Sequence, residues 1–287
     1  VADSSAGRLY VVATPIGNLA DFSPRACEVL RRCRVIAAED TRHSGALLKH
    51  FGITTPLVSL HEHNERQRSP ELVARLQAGE SVALISDAGT PAISDPGFDL
   101  VSAAAAAGLE VIAIPGPSAV VAALSIAALP TDRFCFEGFL PARPAARRGH
   151  LQALADETRT IVLYESPHRI GATLADCEQA FGGERRAALA RELTKLHETL
   201  YRGSLAELGL RSRGDPDLAR GEIVLVIAGA APRERSETGE LDRVLALLLA
   251  ELPLKQAARL AAQLVGARDN EAYKRALVLQ RDADSHS

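Results

Sequence analysis

No stretch of the 287-residue chain stays apolar for the length of a membrane span without meeting a charge or a Gly-Pro break, which argues against a spanning helix. The longest alanine-rich run, 101–107, is too short to cross a bilayer. The amino terminus lacks the basic-then-apolar pattern of a secretion signal. The four cysteines, Cys27, Cys33, Cys135 and Cys177, are too few and too dispersed for a disulfide scaffold or a close-paired metal site. A reducing cytoplasm is therefore the expected location. Lysine is scarce: it occurs at 49, 195, 255 and 274 only, so 33 − 4 leaves 29 arginines. A coding bias toward Arg and Ala accounts for that skew better than a demand for phosphate contacts does. Methionine is absent, which says nothing about function.

Several motifs are missing as well. The first strand-to-helix turn, TPIGNL at 14–19, is not G-x-G-x-x-G, and Gly45 with Lys49 does not make a phosphate loop. No G-x-S-x-G provides a nucleophile elbow. His61, Glu62 and His63 lack the spacing of H-E-x-x-H, so no metal is expected.

What is present suffices for a sizeable core. Apolar residues make up 47% of the chain, and its length suits one large or two ordinary domains. A formal charge of −3 argues against a protein that coats nucleic acid over its whole surface, while leaving room for a local basic patch.

Apolar strand-like runs at 9–13, 35–38, 57–60, 82–85 and 111–114 alternate with helical patterns near 24–33, 43–50, 70–78, 97–107 and 118–127. This alternation predicts a parallel sheet with covering helices over 1–130. Each strand runs into a polar loop, and parallel strands bring all five loops to one sheet edge, where small molecules bind. The run 82–97 is the most telling of them. Its apolar strand breaks into Ser86, Asp87, Ala88, Gly89, Thr90 and Pro91: a carboxylate at a strand end, a glycine that lets a ligand approach the backbone, and a proline that stiffens the turn. At Pro115-Gly-Pro-Ser118, a glycine between prolines opens an Ala/Val helix whose first N–H groups suit an anion such as a carboxylate.

Strands near 160–164, 187–190 and 222–228, with helices near 168–180 and 204–211, predict a second α/β domain over 131–231. Between them, Pro141 to Gly149 reads as a mobile basic loop carrying Arg143, Arg147 and Arg148, either a phosphate-contacting lid or a solvated linker. The segment 232–287 begins as a charged loop over 232–239 and continues as helices, with a helix-turn-helix arrangement at 254–264, Gly266 and 270–279. Carboxylates gather at or after predicted strand ends: Glu39, Asp40, Asp87, Asp95, Glu165, Glu192 and Glu198. They suit proton handling or cation binding.

The motifs AAEDTRHSG at 37–45, HEHNE at 61–65, SDAGTPAISDPG at 86–97, PGPSA at 115–119, YESPHR at 164–169, ARELTKLHE at 190–198 and GEIVLVI at 221–227 follow TPIGNL in family order. With them the chain resembles the tetrapyrrole methylase family of S-adenosylmethionine-dependent enzymes. EDTR together with ARELTK resembles the subgroup acting on ribosomal RNA. The resemblance implies two α/β domains with S-adenosyl-L-methionine folded between them, a small C-terminal helical domain and a homodimer. It further implies 2′-O-methylation of a cytidine ribose in 16S ribosomal RNA of the small ribosomal subunit. Where the family often carries Gly-x-Gly-Asp-Pro, this chain has Ser86-Asp-Ala-Gly-Thr-Pro91. The cofactor-binding candidates are Pro15, Asp87, Ala88, Gly89, Thr90, Pro91, Gly116, Ser118 and Ala119, with Asp87 facing the cofactor ammonium and Gly116 and Ser118 its carboxylate or ribose. Glu39 and Asp40 are candidates for base or hydroxyl-orienting group. Lys195 joins them as a catalytic candidate that also suits an RNA phosphate. Arg42, Arg143, Arg147 and Arg148 are the RNA-contact candidates. Two other functions fit parts of the sequence: a tetrapyrrole-type small-molecule C-methyltransferase, which needs no basic segment, and a non-catalytic RNA-binding assembly protein, which needs no cofactor loops.

Overall fold

Val35–Ala38 and Val82–Ile85 are buried at every position, as strands covered on both faces must be. The computed structural model describes residues 6–231 and 237–284. In it, Leu9–Val12 (β1), Val35–Ala38 (β2), Leu57–Ser59 (β3), Val82–Ile85 (β4) and Val111–Ile114 (β5) form a fully parallel sheet in the order β3-β2-β4-β1-β5. The helices Pro24–Arg32 (α1), Thr41–His50 (α2), Glu65–Gln77 (α3), Phe98–Ala106 (α4) and Ala119–Ile126 (α5) connect and cover it. Local chemistry starts several of them. Ser23 accepts the Ala26 N–H at 3.0 Å with Pro24 in the first turn of α1, and Asp40 accepts the Arg42 N–H at the start of α2.

The sequence pattern places the third helix at 70–78, whereas α3 begins at Glu65 and carries Pro70 within it. The early start has a tertiary reason. The buried Glu65 carboxylate accepts the N–H groups of Gly97 at 2.9 Å and Asp99 at 2.8 Å, capping α4 from a distance.

A second sheet contains Phe134–Phe139 (β6), Thr160–Glu165 (β7), Arg186–Arg191 (β8), Thr199–Ser204 (β9) and Ile223–Ile227 (β10), in the order β6-β7-β10-β8-β9. Only β6 and β7 pair in parallel; the other neighbours run antiparallel. Strand β9 is absent from the sequence reading. It is an edge strand bonded to β8 alone, and its TLYRGS sequence has little apolar weight. Helices Pro144–Ala153 (α6), Ile170–Phe181 (α7) and Leu205–Gly214 (α8) accompany this sheet, and a Ser204/Glu207 capping box opens α8.

Helix α6 corrects the expected basic loop. Pro144 occupies the first turn, where its missing N–H costs nothing, and Arg143 is the residue before it. Residues 145–153 then continue as helix and bury Arg147 and Leu151.

The two sheets belong to one compact unit, Val1–Gly229. Helix α5 joins them: Val120, Ala123, Leu124 and Ala127 pack with Val162, Ala188, Val224 and Val226 of the second sheet. The unit Ala230–Ser287 contains Glu237–Leu249 (α9), Leu254–Val265 (α10) and Asp269–Asp284 (α11). Of the expected charged loop at 232–239, residues 232–236 lie outside the described residues and the remainder is helical. Gly266 ends α10 in the left-handed region at φ 76°, Leu241 and Leu245 pack against Ala258 and Ala261, and Arg275 makes a two-pronged bond to Asp242 at 2.5 and 2.6 Å.

Candidate active site

The loops at the carboxyl edge of the parallel sheet are tied to one another by backbone bonds. Thr14 and Gly89 exchange N–H···O bonds of 2.8 and 3.1 Å, and the Thr14 hydroxyl donates to the Ser86 carbonyl at 3.1 Å. Thr90 Oγ1 donates to the Pro117 carbonyl at 3.3 Å, joining the loop after β4 to the loop after β5. Gly89 has φ +81°, and a Cβ there would lie 3.4 Å from Ile16 Cγ2. The turn therefore favours glycine for its backbone, while the space beside it would just admit a Cβ.

Between these loops and the second sheet lies a cavity of about 330 Å³. That volume falls at the lower end of the roughly 300–1,000 Å³ typical of small-molecule sites. Of the expected cofactor residues, Ala88, Gly89, Thr90, Ser118 and Ala119 line it. Pro15, Asp87, Pro91 and Gly116 are not among its lining residues: Asp87 Oδ1 accepts the Asp40 N–H at 3.1 Å, and Gly116 lies so close to Ala13 that a Cβ would come within 3.0 Å of the alanine methyl. Ile16 from the first loop, Leu193 and Gly221 from loops beside the second sheet and Val224 from β10 add to the apolar part.

The donors and acceptors present suit an amino-acid nucleoside. Ser118 stands at the start of α5, makes no side-chain cap bond and lines the cavity. The first-turn N–H groups of α5 favour an anion. Gly221, at φ +81°, permits an approach to Glu192 in which a Cβ would fall 2.5 Å from its carboxyl atoms.

Backbone strain gathers around the cavity. Ala92 and Ser94 in the loop after β4, and Glu192 and Thr194 in the loop after β8, all have φ between 53° and 65°. Each such residue costs on the order of 1–3 kcal/mol and persists only where its surroundings enforce it.

The carboxylates fall into distinct roles. Glu165 is buried and bound: Arg169 Nε lies 3.2 Å away, and the Thr173 hydroxyl and Ser166 N–H both donate to it. Glu222 accepts from Lys195 Nζ at 3.0 Å. Asp95 lines the cavity with no ion-pair partner among the described residues. Burial first, then the charges of Glu39 and Asp87, raise its pKa to about 6 against the pull of a Ser86 hydrogen bond. Glu39 is also raised, by burial and then by Asp87, with His61 acting the other way.

Three of the expected residues need correction. Asp40 is no free base: its carboxylate caps α2 and holds Arg42 at 2.9 Å, and these bonds keep its pKa at about 2. Lys195, a catalytic candidate, is held in ion pairs. Burial works against its charge, but bonds to Glu192 at 2.8 Å and Glu222 outweigh burial and raise its pKa. Its two carboxylate partners also occupy the ammonium that was expected to meet an RNA phosphate. Arg147 cannot reach RNA, because its side chain is 6% exposed and its Nε lies 2.7 Å from Asp176 Oδ2. Arg42, Arg143 and Arg148 remain exposed. Sequence reasoning listed Asp95 among the strand-end carboxylates without singling it out. The signal was its place in SDPG, on the same loop as Asp87, but its freedom from a cation appears only in three dimensions.

Comparison with known proteins finds matches along most of the chain. A family model described as Tetrapyrrole (Corrin/Porphyrin) Methylases matches residues 8–209, and one described as RsmI C-terminal HTH domain matches 235–280. A Pseudomonas aeruginosa protein named Ribosomal RNA small subunit methyltransferase I is 58% identical over 96% of this chain and 99% of its own length. One of the same name from Escherichia coli O157:H7 is 50% identical over 97% and 98%. Among solved structures, the methyltransferase CobJ superposes with a TM-score of 0.59 at 19% identity, covering 80% of this chain and 97% of that one. Uroporphyrin-III-C-methyltransferase from Thermus thermophilus gives 0.55 at 22%, covering 77% and 94%. These two likenesses concern the fold alone.

Proposed function

The chain belongs to the tetrapyrrole methylase family, and on that premise we propose that it methylates the ribose 2′-hydroxyl of a cytidine in 16S ribosomal RNA of the small subunit, using S-adenosyl-L-methionine. The observation that carries the reading is near-full-length similarity, through the C-terminal helical segment, to curated small-subunit ribosomal RNA methyltransferases. A tetrapyrrole C-methyltransferase shares the two-sheet fold, but the match to the C-terminal helical segment favours RNA. A non-catalytic assembly protein would have no use for a cavity lined by Ser118 and a free carboxylate.

The cofactor supplies an electrophilic methyl on a sulfonium. Ser118 and the α5 amides would hold its carboxylate, Ala88 to Thr90 would form the wall beside it, and Ile16, Leu193 and Val224 would shield its apolar part from water. Positioning of the attacking hydroxyl against the methyl supplies much of the rate. Arg42, exposed beside the cleft on α2, and Arg143 and Arg148 at the start of α6 would contact RNA phosphates, which orient the substrate without reading its sequence. We also take the working form to be a cytoplasmic homodimer, with functional lobes at 1–130, 131–231 and 232–287. No helix among the described residues is long and apolar enough to cross a membrane.

The test is methyl transfer from labelled S-adenosylmethionine to small ribosomal subunits, free ribosomal RNA and uroporphyrinogen. Label on a cytidine ribose of 16S RNA supports the reading. Label on the tetrapyrrole alone, or on no substrate despite cofactor binding, overturns it.

A further inference from the structure

Three carboxylates line the cavity, Asp95, Glu165 and Glu222, and two of them are already held by cations, Glu165 by Arg169 and Glu222 by Lys195. Asp95 has only the Ser86 hydroxyl, and no Lys, Arg or His pairs with it among the described residues. Its position is nevertheless rigid. The Ala92 N–H donates to the Pro96 carbonyl at 3.3 Å, closing the loop on itself, and Glu65 grips the next residues by the Gly97 and Asp99 N–H groups. Ala92 and Ser94 adopt positive φ, and Ile93, Ser94 and Asp95 of this loop line the cavity. From across the cleft Gly138, at φ +62°, approaches so closely that a Cβ would come within 3.0 Å of Ser94 Oγ. A half-buried carboxylate built into strained, pinned backbone, facing a ligand cavity and left without a cation, is placed to take a proton.

Resting on the reading under Proposed function, we infer that Asp95 is the catalytic residue that accepts the proton of the attacking ribose 2′-hydroxyl. As the C–O bond forms, the S–CH3 bond breaks and its electron pair stays on sulfur, which becomes a neutral thioether. The hydroxyl proton passes to the Asp95 carboxylate and then to solvent, so no further reactant is needed. Glu39 from the loop after β2, Asp87 from its own loop and Tyr164 from β7 are the titratable groups facing Asp95, with His61 acting on Glu39 and Glu222 on Tyr164. Burial first, then the two carboxylates, raise the basicity of Asp95 and so suit it to the task. Because the reaction requires the ionised form, the rate falls as pH drops through about 6.

The experiment compares wild type with Asp95→Asn and Glu39→Gln under single-turnover conditions, at saturating cofactor and RNA, across the acidic pH range. Asp95→Asn is expected to keep cofactor and RNA affinity, to lose roughly 10²–10⁴ in rate, and to abolish the acid limb. Glu39→Gln removes a like charge, so its limb should move to lower pH. A second readout needs neither cofactor nor substrate. A folded-state pKa raised from 3.8 to about 6 stabilises the protein below 3.8 and is lost as pH rises through about 6, so wild type should lose stability relative to Asp95→Asn across that window. An Asp95→Asn protein with wild-type rate and an intact limb overturns the assignment. So does one whose loss is confined to cofactor affinity, since Asp95 would then hold the ammonium. If no RNA is methylated by wild type yet the stability difference titrates as stated, the proposed substrate has failed while the basic character of Asp95 stands.

Discussion

Arg147→Ala should behave as a core mutation and leave RNA binding alone. The Arg147 side chain is 6% exposed, and that of its Asp176 partner, on the neighbouring α7, is 13% exposed. Removing one member of a buried pair strands the other charge, at a cost of about 3–5 kcal/mol. Arg148 Nη1 lies 3.8 Å from the second Asp176 oxygen and would compensate in part, which places the expected loss near the lower end, about 3 kcal/mol. For a folded unit of this size each kcal/mol lowers Tm by roughly 2–4 °C, so Tm should fall by about 6–12 °C. Thermal and urea unfolding of the full chain, followed by far-ultraviolet circular dichroism, measures the change. Arg143→Ala, at the exposed start of α6, should stay within about 0.5 kcal/mol of wild type. Replacing both partners, Arg147→Met with Asp176→Leu, should recover most of the loss, because no unpaired charge remains. An Arg147→Ala protein with unchanged stability and weakened RNA affinity would refute the argument, since the side chain would then have to meet phosphate and not Asp176.

Two further outcomes follow from the same geometry. Replacing the exposed Arg143 and Arg148 with alanine should weaken RNA binding and flatten its log-log salt dependence, by up to about 0.7 for each phosphate of a single strand that is no longer neutralised, measured by titration at several salt concentrations. Cofactor affinity should not change, because neither residue lines the cavity. Gly89→Val should weaken cofactor binding in calorimetry by at least about tenfold and cost on the order of 1–3 kcal/mol of stability, because a branched side chain at φ +81° is strained and its methyls would crowd Ile16 and the cavity wall.

The sequence by itself determined the parallel sheet, the edge on which its loops gather, and the family. Buried parallel strands are continuous apolar runs, and β2 and β4, buried at every position, announce themselves without any knowledge of their neighbours. The turn at 86–91 was legible for a similar reason: glycine and proline report local backbone demands, and Gly89 does adopt the positive φ that such a turn needs. Tertiary structure decided which charged groups are free. Arg147 looks like its neighbours in sequence, yet the partner that buries it is 29 residues away; Lys195 meets Glu222 across 27 residues, and Glu65 caps a helix start 34 residues on. Helix α6 was misread because two prolines near its start look like breakers, whereas a proline in a first turn merely opens a helix. Asp40 is the exception, since its cap is local and could have been read from the Asp-Thr-Arg that starts α2. Periodicity and turn chemistry act within a few residues of the chain. The protonation and availability of a side chain depend on burial and on charges brought together by folding, and for that reason Asp95 was distinguished from Glu165 and Glu222 only by the packed molecule.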